Sequence, residues 1–171
     1  MAKWTTTVAV LCWWLGPVVI ADGPQFSERV RVPSGMLRTV VIDAIRGAAE
    51  RLTSPKCAEV LVHFRDEHGR TLLENLQQLG REPVAFLSEL WFVDAGRERT
   101  CLLNEIAAYT KPGTRVVFVC SSRFISPIHS LRGRPGEVAI IHEMLHALGL
   151  GEGGRHPSSR EITRRVTDSC G

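Results

Sequence analysis

A chain of 171 residues that is 44% hydrophobic is long and apolar enough to bury one sizeable core. Its formal net charge of +3, with the arginines scattered, excludes the strong basic field of a nucleic-acid binder or of an anionic-membrane binder. Neither an internal repeat nor a low-complexity tract interrupts it, which excludes the solenoid and disordered classes.

The chain opens on a positive residue, Lys3, followed by a mostly apolar run from Val8 to Ile20 and the small-residue pattern Val19-Ile20-Ala21 before Asp22. These are the three parts of a secretory signal peptide, with cleavage expected after Ala21 and a single mature domain over residues 22–171. Losing Lys3 takes the net charge from +3 to +2. The apolar run, about thirteen residues broken by Gly16 and Pro17, falls short of the roughly 20 needed to span a bilayer, so no stable membrane insertion is expected.

Asp22 to Pro33 reads as an extended lead-in. Ser34 is placed to cap a helix from about Gly35 to Leu52, in which Leu37, Val40, Val41, Ile45 and Ala48 recur at helical spacing; Ser54-Pro55 ends it. The segment Glu59 to Phe64 predicts a β-strand, closed by the turn Glu67-His68-Gly69. Leu72 to Leu79 predicts a short helix stopped at Gly80, Val84 to Val93 a region with a strand, and Asp94-Ala95-Gly96 a turn. Asn104 to Tyr109 and Arg115 to Cys120 flank Lys111-Pro112-Gly113 in the manner of a hairpin, and Val116 to Val119 is the strongest strand signal in the chain. A Pro/Gly/Ser-rich loop from Ser121 to Gly136 leads into the apolar segment 138–150. Gly151, Gly153 and Gly154 then break regularity, and Ser158-Ser159-Arg160-Glu161 reads as a capping box opening a last helix. The sum is an α+β domain: an N-terminal helix, a small mixed sheet, a functional helix and a short C-terminal helix.

The apolar segment carries His142-Glu143-Met144-Leu145-His146. Residues at i and i+4 share one face of a helix, so the two imidazoles can be offered to one metal ion, while Glu143 can reach a water at that metal without ligating it. A helix apolar nearly all round is buried, and buried His and Glu need partners; a metal supplies one. Composition alone would produce H-E-x-x-H in such a chain about one or two times in a hundred. Cys57, Cys101, Cys120 and Cys170 remain after the signal, an even number in an exported chain. They predict two disulfides, whose pairing the spacing leaves open among three connectivities, and they lie too far apart for a cysteine-rich zinc knuckle.

The motif on its helix, after an early helix and a small sheet, resembles the zincin superfamily of zinc metallopeptidases. The longer pattern His142-Glu143-x-x-His146-x-x-Gly149 is similar to that of the metzincin clan, where the glycine turns the chain towards a third ligand three residues on. That position is Glu152 here, where the clan usually has His and sometimes Asp, and no methionine follows Met144 to form the clan's Met-turn. The resemblance, confined to about residues 137–152, implies one Zn2+ per chain held by His142, His146 and Glu152. His156 and Glu161 stand as competitors for the third position. It implies a fourth zinc position open to water, Glu143 as the general base, and a peptide or protein substrate aligned along the edge strand of the sheet. An endopeptidase acting as a secreted or periplasmic monomer fits best. Tyr109 and His129 are candidate extra donors to the developing oxyanion, each with an adequate structural role instead. The competing class is a secreted zinc-binding domain without turnover, in which His156 closes the site as a fourth ligand.

Overall fold

The helix expected early in the chain runs from Met36 to Leu52 (α1) and buries Leu37, Val40, Val41, Ala44, Ile45, Ala48 and Leu52, the stripe its spacing predicts. The computed structural model describes residues 26–33, 35–103, 106–125 and 134–171. The expected signal peptide, Ser34 and His129 therefore lie outside the described residues. The described part of the lead-in holds a 3-10 turn, Phe26–Arg29, and a two-residue strand, Val30–Arg31 (β1).

The strand expected over Glu59 to Phe64 is instead a helix, Pro55–His63 (α2). Proline at the first helical position loses no hydrogen bond, so Ser54-Pro55 ends α1 and starts α2 at once. Cys57, Val60, Leu61 and Phe64 are buried, the i, i+3, i+4, i+7 spacing of a helix face, whereas Val62 is half exposed. After a tight loop comes the expected short helix, Leu72–Gln78 (α3), opened by a reciprocal capping box between Thr71 and Glu74. A second N-terminal proline begins Pro83–Ser88 (α4), so the strand predicted within Val84 to Val93 is confined to Trp91–Asp94 (β2).

Arg99–Leu103 (α5), the strand Ala108–Thr110 (β3), the strand Val116–Val119 (β4) and Ser121–Phe124 (α6) follow, with Lys111-Pro112-Gly113 between β3 and β4 as expected. Arg134–Ala147 (α7) carries the H-E-x-x-H residues and Ser159–Cys170 (α8) ends the fold. The sheet is mixed, in the order β1-β2-β4-β3: β1 and β4 run parallel to β2, and β3 pairs antiparallel with β4 at the edge. The α+β class expected from the sequence is thus the one observed. No described helix is long and apolar enough to cross a membrane.

Alternation along β4 divides the two faces. Val117 and Val119 join the main core with Phe92, α1 and α7, while Phe118 stacks on Tyr109 on the other face, over a small cluster of Ala95, Cys101 and Cys120. The cysteines pair as Cys57–Cys170 and Cys101–Cys120, two disulfides that point to an oxidising compartment. The first ties α2 to the end of α8, and the second ties α5 to the end of β4. In α7, Ile140, Ile141, Met144 and Leu145 are fully buried. At about 1.5–3 kcal/mol each, their burial offsets the cost of about 1–3 kcal/mol for each polar group that the same helix takes inside.

The loop between α2 and α3 is organised by Asp66, which is covered from solvent although it lies near the molecular surface. Its Oδ1 accepts from the backbone N–H of His68 (2.9 Å) and Arg70 (3.0 Å), and its Oδ2 from the Arg70 guanidinium (2.9 and 3.1 Å) and the Asn75 amide (3.1 Å). Desolvation raises its pKa, but these bonds, that of Asn75 foremost, outweigh it and bring the carboxyl from 3.8 down to about 2. A folded-state pKa below the unfolded one gives stability that is complete above about pH 4 and is lost as the pH falls towards 2. The melting advantage of the parent over Asp66→Asn should therefore shrink between pH 5 and pH 2. An advantage that stays constant across that range contradicts the assignment.

Candidate metal centre

The helix α7 ends in a turn that its own sequence dictates. Gly149 takes a φ of +108°, which a side chain would resist, and its N–H donates to the His146 carbonyl at 2.8 Å. The next N–H, of Leu150, donates to the Leu145 carbonyl at 3.1 Å, and both leucine side chains are fully buried. This pair of bonds is the Schellman termination, and it reverses the chain over the helix end. At Gly151 the constraint is space instead: a Cβ there would come within 2.6 Å of the His156 ring.

The reversal brings Glu152 to the two histidines. His142 Nε2 and His146 Nε2 stand 3.0 Å apart, and a Glu152 carboxylate oxygen lies 3.3 Å from His146 Nε2 and 3.8 Å from His142 Nε2. One ligand atom from each of the three lies within 4.8 Å of the others, and this is the one such group of His, Cys, Asp and Glu found among the described residues.

The donor set fits a divalent cation. His146 Nδ1 is 2.7 Å from the Leu150 carbonyl, which can only accept, so the ring proton sits on Nδ1 and the Nε2 lone pair is free. His142 Nδ1 meets the Thr163 hydroxyl of α8 at 2.9 Å, and the same tautomer follows when that hydroxyl accepts. Burial, reinforced by the neighbouring His146, pushes the His142 pKa from 6.5 down to about 3, so its ring stays neutral and able to ligate. Two imidazole lone pairs and a carboxylate aimed at one point repel one another unless a cation is shared between them.

Glu143 is not one of the three. Its carboxyl is buried, which raises its pKa from 4.5 to about 7, with Thr110 of β3 acting against the shift and Glu152 adding to it. Thr110 is thus the neighbouring polar group, yet neither its hydroxyl nor Glu143 Oε2 has a hydrogen-bond partner of acceptable geometry. Both oxygens are left with bonding capacity. A cleft of about 490 Å³ takes in His142 and Glu143, with Ala107 and Ala108 at the edge of the sheet, Val138 and Ala139 of α7, and Thr163. Its walls are mostly apolar, with Arg134, Ser159, Thr163 and Thr167 the other polar side chains that line it.

The structure brings together His142, His146 and Glu152, with Glu143 alongside, and leaves out the other candidates among the described residues, His156, Glu161 and Tyr109. His156 packs over Gly151, and Glu161, whose N–H is capped by Ser158 at 3.3 Å, is exposed. Tyr109 lies on the far face of the sheet, its hydroxyl donating to Glu98 at 3.4 Å. Thr163 and Thr110 were not among the residues picked out from the sequence. Each reaches the site through packing of a separate element, and no local spacing marks either. No family model matches this chain, and no curated protein or solved structure matches it either.

A cation held only by the folded chain stabilises it. Divalent metal at about 100 times its Kd adds about 2.7 kcal/mol, a rise of about 5–10 °C in Tm for a domain of this size. Chelation should reverse the rise and His146→Ala abolish it. A Tm indifferent to both metal and chelator contradicts the assignment.

Proposed function

We propose that the chain is an exported zinc-dependent endopeptidase in which His142, His146 and Glu152 hold one zinc ion and Glu143 is the general base. The observation that carries this reading is the placement of Glu143: buried, beside the ligand group, with a free carboxylate oxygen, in the same cleft as His142. A site that only binds metal has no use for such a group, and a zinc-binding domain without turnover leaves its burial cost unexplained. Two imidazoles and one carboxylate suit zinc, and three protein ligands leave a coordination position open, as catalytic sites do. The two disulfides support an oxidising destination, in keeping with the signal peptide read from residues 1–21.

A peptide substrate is supported by the edge of the sheet. Ala107 faces β4, its carbonyl accepting from Cys120 N–H at 2.8 Å, and Tyr109 lies opposite Phe118. In an antiparallel pair the alternate residue, Ala108, then turns its N–H and C=O outward, and Ala108 lines the cleft. An extended peptide adds to that edge through main-chain bonds, which suit any sequence. Zinc, when bound, supplies Lewis acidity towards water and towards the peptide carbonyl. Glu143 takes a proton from the attacking water and delivers it to the departing amine nitrogen. Thr110 of β3 is a polar neighbour of that carboxyl, and the cleft around it is mostly apolar.

Replacing Glu143 by Gln keeps size and shape while removing the base. Glu143→Gln should bind zinc at the parent's stoichiometry and cleave a broad peptide pool about 10²–10⁴ times more slowly. Cleavage at the parent's rate by that variant contradicts the role of Glu143.

A further inference from the structure

The last turn of α7 can be accounted for carbonyl by carbonyl. Leu145 is satisfied by Leu150 N–H at 3.1 Å, and His146 by Gly149 N–H at 2.8 Å and by Gly113 N–H, from the β3–β4 turn, at 3.0 Å. Leu148, the residue before the reversal, has its carbonyl bound by a side chain far away in sequence: Asn75 Nδ2 of α3, at 2.9 Å. The same Nδ2 donates to Asp66 Oδ2 at 3.1 Å, so both of its N–H groups are used while Oδ1 is buried without a partner. Asp66 is itself fixed by the Arg70 guanidinium and two backbone N–H groups, and α3 is fixed at its start by the Thr71–Glu74 box. The clamp is also in contact range of the turn. A Cβ at Gly149 would lie 3.4 Å from Asp66 Cβ and 3.6 Å from Asn75 Nδ2.

We propose that Asn75, oriented by Asp66, is a positioning residue for the metal centre: by holding the Leu148 carbonyl it anchors the turn that Gly149 makes, and so where that turn delivers Glu152 to His142 and His146. The inference rests on reading these three residues as the metal ligands. Of the three, Glu152 alone stands off the rigid helix, and its side chain is 43% exposed. Its place is therefore decided by the four-residue step from Leu148, and ligands must be held within about 0.5 Å to bind well. Asn75 would touch neither metal nor substrate and act only through that step. An amide is the side chain suited to the task, since it offers two N–H donors without charge, one for the carbonyl and one for Asp66.

A double-mutant cycle on zinc affinity, measured at 25 °C by competition with a chelator, separates this role from a general contribution to folding. In the parent background Asn75→Ala should weaken zinc about tenfold. In a Glu152→Ala background, where the two imidazoles alone set the affinity, it should cost less than about twofold. Melting curves of the metal-free variants establish that each is folded at the assay temperature, and Asn75→Ser carries the same cycle if Asn75→Ala is not. Unchanged affinity in Asn75→Ala, or an equal loss in both backgrounds, overturns the positioning role. Absence of zinc binding by the parent overturns the metal-centre reading itself.

Discussion

Three polar side chains, His142, Glu143 and His146, are buried in the otherwise apolar stretch 138–147 of α7, and each needs something to offset its lost hydration. The solutions differ. The histidines spend their Nδ1 atoms on Thr163 and on the Leu150 carbonyl, which leaves both Nε2 atoms turned towards one point that Glu152 also reaches. Glu143 keeps an oxygen unsatisfied at the cleft. A metal ion could answer the first demand, and under the proposed peptidase reading a water or substrate proton would answer the second. Most of the remaining architecture holds this helix where those answers are possible.

That support comes from elements distant in sequence. α8 supplies Thr163 to His142 and is held at its far end by the Cys57–Cys170 bridge to α2. Arg51 of α1 pairs with Glu137 in the first turn of α7 and donates to the Cys170 carbonyl at 2.7 Å, so one guanidinium joins the three helices. Such a pair, largely withdrawn from water and bonded on both sides, costs more to break than its mere presence adds. At the other end of α7, Asn75 and Gly113 hold the last carbonyls. The functional helix is thus pinned at both ends by separate parts of the chain, a requirement of any preorganised site.

Features with a local cause were legible in the sequence. The stripe of α1, the turn between β3 and β4 and the turn at Gly149 follow from spacings of a few residues and lie where they were expected, and Glu152, implied by the resemblance, lies within 4.8 Å of the ligand atoms of both histidines. The error at α2 came from punctuation with two meanings: Pro55 stops one helix and is the preferred start of the next. The segment Glu59 to Phe64 then reads as a strand, although the buried set, Cys57, Val60, Leu61 and Phe64, has helical spacing. The disulfide pairing, Thr163 beside His142 and Asn75 beneath Leu148 depend on how helices pack. No pattern along the chain encodes them. His156 was a plausible ligand by chemistry, and only the three-dimensional path of the loop shows its ring lying against Gly151.

The most direct test of the account is anomalous diffraction at the zinc absorption edge from crystals of the chain grown with zinc. The account predicts one strong peak, within about 2.0–2.2 Å of His142 Nε2, His146 Nε2 and a carboxylate oxygen of Glu152, with at least one coordination position not taken by protein. A peak bound instead by His156 or Glu161, a site closed by four protein ligands, or no ordered zinc on α7 would contradict it.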